Sequence, residues 1–205
     1  PMRAAANKEK LFAEIGLAEQ PEGAVGVLEA STLPPPEVCK QIAEECRVAP
    51  EKLFLLAART SSLAGSVQVV SRSVETALHK MHEIGFPLES IHSGLGSAPL
   101  PPVAADDLVG VGRTNDAVLY GGRVSLWVTC DDAVLEAMGP RIPSSASSDF
   151  GRPFFEIFKS YEYDFYRVDP HLFSPAVIEL NNLQTGRRYE FGETRYDILE
   201  ESFAL

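Results

Sequence analysis

The sequence predicts an α/β fold in which helices and strands mix in α+β layers. Three observations carry that prediction. Strand-like apolar runs alternate with helix-like segments through the first half, and β signals become denser in the second. No internal repeat or low-complexity segment interrupts the pattern. A chain of 205 residues, 45% hydrophobic and 23% charged, is long enough to bury a real core as one large domain or two small ones.

The elements follow in order. Residues 2–15 read as a helix ended by Gly16, and GAVGVLEA (23–30) has the apolar density of a buried strand. Pro34-Pro35-Pro36 starts a helix running through Cys46, because proline at the first helical position gives up no needed hydrogen bond. Residues 53–58 form an apolar run of strand length, 67–84 a helix stopped at Gly85, and 88–93 a strand. Residues 118–130 hold two apolar segments broken by Gly121-Gly122, which predicts a long kinked strand or a hairpin. Asp131–Met138 reads as a short helix with two acids at its start, favourable for the helix dipole. Phe154–Tyr161 is a further helix whose Phe154, Phe155 and Phe158 read as core. Residues 176–180 and 188–191 flank a turn at 182–186 as a hairpin, and a last helix covers 194–203.

Charge and composition exclude several functions. With 29 acidic against 18 basic residues the formal net charge is -11, and no basic patch is concentrated enough to hold a nucleic acid. No apolar run approaches the roughly 20 residues that span a bilayer, and the start lacks a signal-peptide apolar stretch, so a cytoplasmic location is expected. Cys39, Cys46 and Cys130 read as small core residues in a reducing compartment. No spacing resembles a zinc site, His79 and His82 lack a third ligand, and no metal is expected. Gly94-Leu95-Gly96 lacks the rest of a dinucleotide fingerprint.

The segment 67–84 raises the functional question. At about 100° per residue, Val67, Val70, Val74, Ala77, Leu78, Met81 and Ile84 share a core face, while Gln68, Arg72, Glu75 and His79 form the opposite stripe. Arg72 and Glu75, three apart, can therefore touch. On a solvated face such a pair is worth a few tenths of a kcal/mol and says nothing about function by itself. The stripe carries no lysine until Lys80, and the preceding Arg59–Ser66 stretch is crowded with hydroxyl residues. Hydroxyls at a strand-to-helix junction either seat a polar ligand or simply cap the helix. Thr114, Asn115 and Asp116 read equally as groups for an amide-like ligand edge or as an Asx-type turn before a strand at 117.

An ordered set of motifs adds a resemblance. Gly65-Ser66-Val67-Gln68 leads into Arg72 and Glu75, followed by Gly112-Arg113-Thr114-Asn115-Asp116 and Leu119-Tyr120-Gly121-Gly122. Ser147-Ser148-Asp149-Phe150-Gly151-Arg152-Pro153-Phe154-Phe155-Glu156 and Tyr163-Asp164-Phe165-Tyr166-Arg167-Val168-Asp169-Pro170-His171 complete it. Together they resemble the methenyltetrahydromethanopterin cyclohydrolases, one-carbon enzymes of methanogens and some methylotrophic bacteria. The resemblance implies hydrolysis of the methenyl bridge of a tetrahydromethanopterin derivative, with Glu75 activating water and Arg72 positioning it. It implies substrate contacts from Ser66, Gln68, Thr114, Asn115, Asp116, Ser147, Asp149 and Arg152, and no permanently bound cofactor. It further implies a homo-oligomer, a trimer by family resemblance, and a substrate pocket between two domains. Roughly a hundred further residues are expected ahead of Pro1, so that 1–20 would end a first domain and 21–205 form a second. The same chemistry on a folate carrier, and a pterin-binding or assembly fragment without activity, are the alternative readings.

Overall fold

The computed structural model describes residues 2–204, which divide into two compact units at Arg59 and Thr60. In the first unit α1 (Met2–Ala6) and α2 (Lys10–Glu14) stand where one helix over 2–15 was expected. Asn7 has φ 49°, a left-handed conformation that asparagine tolerates and that ends α1 after about one turn. β1 (Ala24–Glu29) and β2 (Leu53–Ala58) pair in parallel, with α3 (Pro36–Glu45) in the crossover and Cys46 as its C-cap. One face of this sheet packs: Ala24, Ala5 and Cys46 are buried together. On the other, Val25 lies opposite Phe54 and Val27 opposite Leu56, and all four are about half exposed. The apolar density at 23–30 thus makes a strand buried on one face only. Cys46 is buried as expected, Cys39 and Cys130 are partly buried, and all three are free thiols.

The second unit runs α4 (Leu63–Val70), α5 (Ser73–Glu83), β3 (Ile91–Ser97), α6 (Asp107–Leu119), β4 (Arg123–Val128), α7 (Asp132–Met138), α8 (Phe154–Ser160), β5 (Val177–Asn182), β6 (Arg188–Gly192) and α9 (Tyr196–Phe203). The strands form one sheet in the order β3-β4-β5-β6; β4 and β5 are parallel and the outer pairs antiparallel. The expected hairpin is β5–β6. α5 and α7 contribute Ala77, Met81 and Leu135 to a core with Val124, Leu126, Val128, Ile178 and Leu180 of the sheet. A second core joins α6, α8 and α9 through Leu119, Phe154, Ile157, Phe158, Ile198 and Leu199. Phe154 and Phe158 are core residues, as read from the sequence, and stack with centroids 5.6 Å apart. Among the described residues no helix is long and apolar enough to cross a membrane.

Two further expectations fail in the second unit. Residues 118–130 are neither a kinked strand nor a hairpin, because the Asp106 carboxylate accepts the Val109 N–H at 2.9 Å and starts a helix that continues to Leu119. Only the segment after Gly121-Gly122 is a strand. The apolar residues 117–119 are the buried end of that helix, and periodicity over so short a run does not separate the two states. The strand expected at 88–93 begins at Ile91, after a single 3₁₀ turn at Leu88–Ser90.

Candidate active site

The helix over 67–84 breaks at Ser71-Arg72. The Ser71 N–H reaches Val67 O at 3.0 Å, the Arg72 N–H shortens to Val69 O at 3.1 Å, and a new helix begins with Thr76 N–H to Arg72 O at 2.9 Å. The sequence favours a break there, since the Ser71 hydroxyl donates to Gln68 O at 3.2 Å instead of leaving the backbone unopposed. As a result Arg72 is the N-cap residue of α5 and Glu75 stands in its first turn, at the positive end of the dipole. Arg72 Nε donates to Glu75 Oε2 at 2.5 Å and Arg72 Nη2 to Oε1 at 3.0 Å, a two-point fork that fixes the carboxylate plane. Both side chains stay about half exposed, at 52% and 53%, so the carboxylate is held yet reachable.

The far end of α5 is fixed by Gly85 at φ +78°, with Gly85 N–H to His82 O at 3.0 Å and Phe86 N–H to Met81 O at 2.8 Å. This double closure is the Schellman pattern expected of a capping glycine. The near end lies on β3. A Cβ at Gly94 would come within 2.8 Å of Leu126 and 3.2 Å of Val74, and one at Gly96 within 2.9 Å of Val74. The Gly94-Leu95-Gly96 segment therefore has a structural use: it lets the first turn of α5, with buried Ser73, rest directly on the strand.

At the junction before α4 the hydroxyls act as caps. Ser62 Oγ accepts the Gly65 N–H at 3.0 Å, and buried Ser66 donates to Ser62 O at 3.1 Å. The Ser61 N–H and hydroxyl both bind Asp107 Oδ1, at 3.0 and 2.6 Å. Gln68 is partly buried on α4, four residues before Arg72.

Thr114, Asn115 and Asp116 lie inside α6, not in a turn. Thr114 Oγ1 donates to Gly110 O at 2.9 Å and Asn115 Nδ2 to Val111 O at 2.8 Å. Asp116 is 0% exposed; it accepts the Phe154 N–H at 2.8 Å and the Ser202 hydroxyl at 2.6 Å, tying α6 to α8 and α9. Burial pushes its carboxyl up to about 7 against the opposing pull of those two donors. Next to it buried Arg113 donates to the backbone carbonyls of Ser202 and Pro102, both at 3.2 Å. Thr114 and Asp116 thus spend their polar groups inside the protein.

Ser147, Asp149 and Arg152 share the loop before α8. Ser147 donates to Asp169 Oδ2 at 2.6 Å and accepts the Asp149 N–H at 3.1 Å. Asp149 accepts the Tyr161 hydroxyl at 3.1 and 3.2 Å and the Asp169 N–H at 3.2 Å. The loop is closed by Tyr120, whose hydroxyl donates to Arg152 O at 2.6 Å and accepts the Gly151 N–H at 3.2 Å. The Arg152 guanidinium itself points to an exposed position, 3.5 Å from Ser160 Oγ. The structure thus brings together Arg72 with Glu75, and Ser147 with Asp149. Lys80, which the sequence reading places on the polar stripe of this segment, is instead 1% exposed. Its spacing of three from Ala77 and four from Ile84 was the available signal. Among the described residues no group of three His, Cys, Asp or Glu is arranged to hold a metal.

A sequence profile described as Cyclohydrolase (MCH) matches residues 1–203. The chain belongs to this cyclohydrolase family. It is 50% identical over 210 residues to a protein of Rhodopirellula baltica, 45% identical over 203 to one of Methylobacillus flagellatus, and 43% identical over 206 to one of Methanospirillum hungatei JF-1. All three relatives are named methenyltetrahydromethanopterin cyclohydrolase. The matches cover 100%, 99% and 99% of this chain and 63%, 62% and 64% of the relatives. The chain therefore spans a little over three fifths of their length. The ordered motifs that carried the resemblance lie within the region matched by the profile.

Proposed function

We propose that this chain carries the hydration site of a cyclohydrolase that opens the methenyl bridge of a methenyltetrahydromethanopterin. The observation that carries this reading is the Arg72–Glu75 fork: a half-exposed carboxylate gripped at both oxygens and set at the N-terminal turn of α5. The names of the relatives supply the substrate class. In this mechanism water adds to the cationic amidinium carbon while Glu75 accepts its proton. The hydroxylated adduct then breaks one of its two C–N bonds, the departing nitrogen taking a proton as the hydroxyl loses its own. This leaves a formyl group on the other nitrogen and releases one proton overall. The substrate is already an electrophile, so the step calls on a base and on positioning groups, not on a resident metal or redox cofactor. Arg72 holds the Glu75 carboxylate toward the water. Gln68, Asn115, Ser147, Asp149 and Arg152 belong to the binding surface in this reading, with Arg152 as the exposed cation for an anionic substrate tail, while buried Ser66 supports it from within α4. Thr114 and Asp116 support it from inside α6.

The reading extends beyond these residues. In it, the first unit is part of a domain that continues outside this chain, with its boundary at Arg59–Thr60 in place of the expected 20/21, since Ala5 is buried with Ala24 and Cys46. The uncovered apolar face of Val25, Val27, Phe54 and Leu56 supports this, since parallel sheets are ordinarily covered on both faces. A trimeric assembly and a cytoplasmic location belong to the same reading. The test is to supply the complete protein encoded by the gene with methenyl-tetrahydromethanopterin and methenyl-tetrahydrofolate and follow loss of the methenyl chromophore. Faster turnover of the methanopterin carrier is expected. Preference for folate shifts the carrier, and no turnover of either overturns the enzyme reading.

A further inference from the structure

Lys80 lies on α5, five residues after Glu75, and is one of the largest fully buried side chains among the described residues. A buried ammonium is costly unless hydrogen-bonded, so its partner is informative. Lys80 Nζ donates to the backbone carbonyl of His171, which lies on a 3₁₀ turn over Pro170–Leu172. That turn is capped by Asp169, which accepts the His171 N–H at 3.0 Å on Oδ1 and the Ser147 hydroxyl at 2.6 Å on Oδ2. The Asp169 backbone N–H in turn donates to Asp149 at 3.2 Å. An unbroken sequence of hydrogen bonds therefore runs from the helix that presents Glu75 to the loop that carries Ser147 and Asp149. The charges agree with this arrangement: burial lowers the Lys80 ammonium to about 8 while the nearby Asp169 carboxylate favours its charged form. Hydrogen bonds from Ser147 and His171 hold the Asp169 carboxyl below its ordinary value against the effect of burial.

We propose that Lys80 is a positioning residue for the reaction inferred above, fastening the helix of Glu75 to the Ser147–Asp149 loop through His171 and Asp169. The inference rests on the catalytic reading of Glu75, which places both ends of this tether at the substrate. Lys80 touches neither substrate nor reacting atoms. Its contribution is to keep the two halves of the binding surface in one register, so that a loosened loop gives up contacts to the bound substrate in ground and transition state alike.

The test is Lys80→Met in the complete protein, which removes the ammonium and keeps the apolar stem. Two readouts are taken. Amide hydrogen exchange at residues 147–150 and 169–172 is expected to quicken by about tenfold or more, with β4 and β5 unchanged. KM for the methenyl substrate is expected to rise by about tenfold while kcat changes by less than about threefold, the pattern of weakened binding shared by ground and transition state. A merely structural lysine would lower the unfolding midpoint without this split. Unchanged exchange in the loop, or quickened exchange with unchanged KM, overturns the proposal. If Lys80→Met does not fold, Asp169→Ala removes both carboxylate acceptors, for the His171 N–H and the Ser147 hydroxyl, cutting the same tether one link further along, and is judged by the same two readouts. The exchange comparison needs no turnover, so a fully active Glu75→Gln, which would end the catalytic reading, leaves the tether itself decided.

Discussion

Asp116 gives the structure's most quantitative claim about stability. Its carboxyl is 0% exposed and is pushed up to about 7 by burial, against an ordinary value of 3.8. A group whose pKa is raised on folding binds its proton more tightly in the native state, so stability falls as pH rises between those two values. The full difference corresponds to about 4 kcal/mol at 1.36 kcal/mol per unit, complete only above pH 7. Asp116→Asn removes the titration yet keeps both contacts, because an amide oxygen can accept the Phe154 N–H and its NH₂ can donate to Ser202 Oγ. The assay is urea unfolding of both proteins at intervals from pH 4.5 to 8. The variant should gain on the wild type steadily with pH, by an amount of order 2–4 kcal/mol across the range. A gap between the two that stays constant within about 0.5 kcal/mol, or that moves the other way, would refute the reasoning and leave Asp116 ionised in the folded protein.

Further predictions concern the placement of α5. Gly96→Ala puts a Cβ within 2.9 Å of Val74 on the first turn of the helix, and overpacking of this kind should cost about 1–3 kcal/mol in urea unfolding. Arg72→Lys keeps the charge but cannot reproduce the two-point fork on Glu75, so turnover should fall by about tenfold or more while the unfolding midpoint barely moves. Equal activity of the Lys variant would show that charge alone suffices.

Much of the fold was legible because its signals are local. Pro36 at the first turn of α3, Gly85 closing α5, the run 53–58 and the turn between β5 and β6 each state their structure within a few residues. α6 was missed because its decisive residue, Asp106, is a cap outside the apolar run that drew attention. The break at Ser71-Arg72 and the glycines of β3 explain one another only in three dimensions: the helix restarts where it meets a strand with no side chains in the way. In the site, helical spacing was enough to bring Arg72 to Glu75, since a contact three residues apart needs no tertiary knowledge. The uses of Asp116 and Lys80 were not legible, because their partners Ser202 and His171 lie 86 and 91 residues away in sequence.

The central claim is that Glu75 activates the attacking water, and turnover of Glu75→Gln in the complete protein tests it most directly. The amide keeps the shape and can still accept from Arg72, but it cannot take a proton. Loss of the methenyl chromophore should slow by about 100-fold or more with the unfolding midpoint unchanged. A variant that keeps more than about a tenth of the wild-type rate would contradict the account.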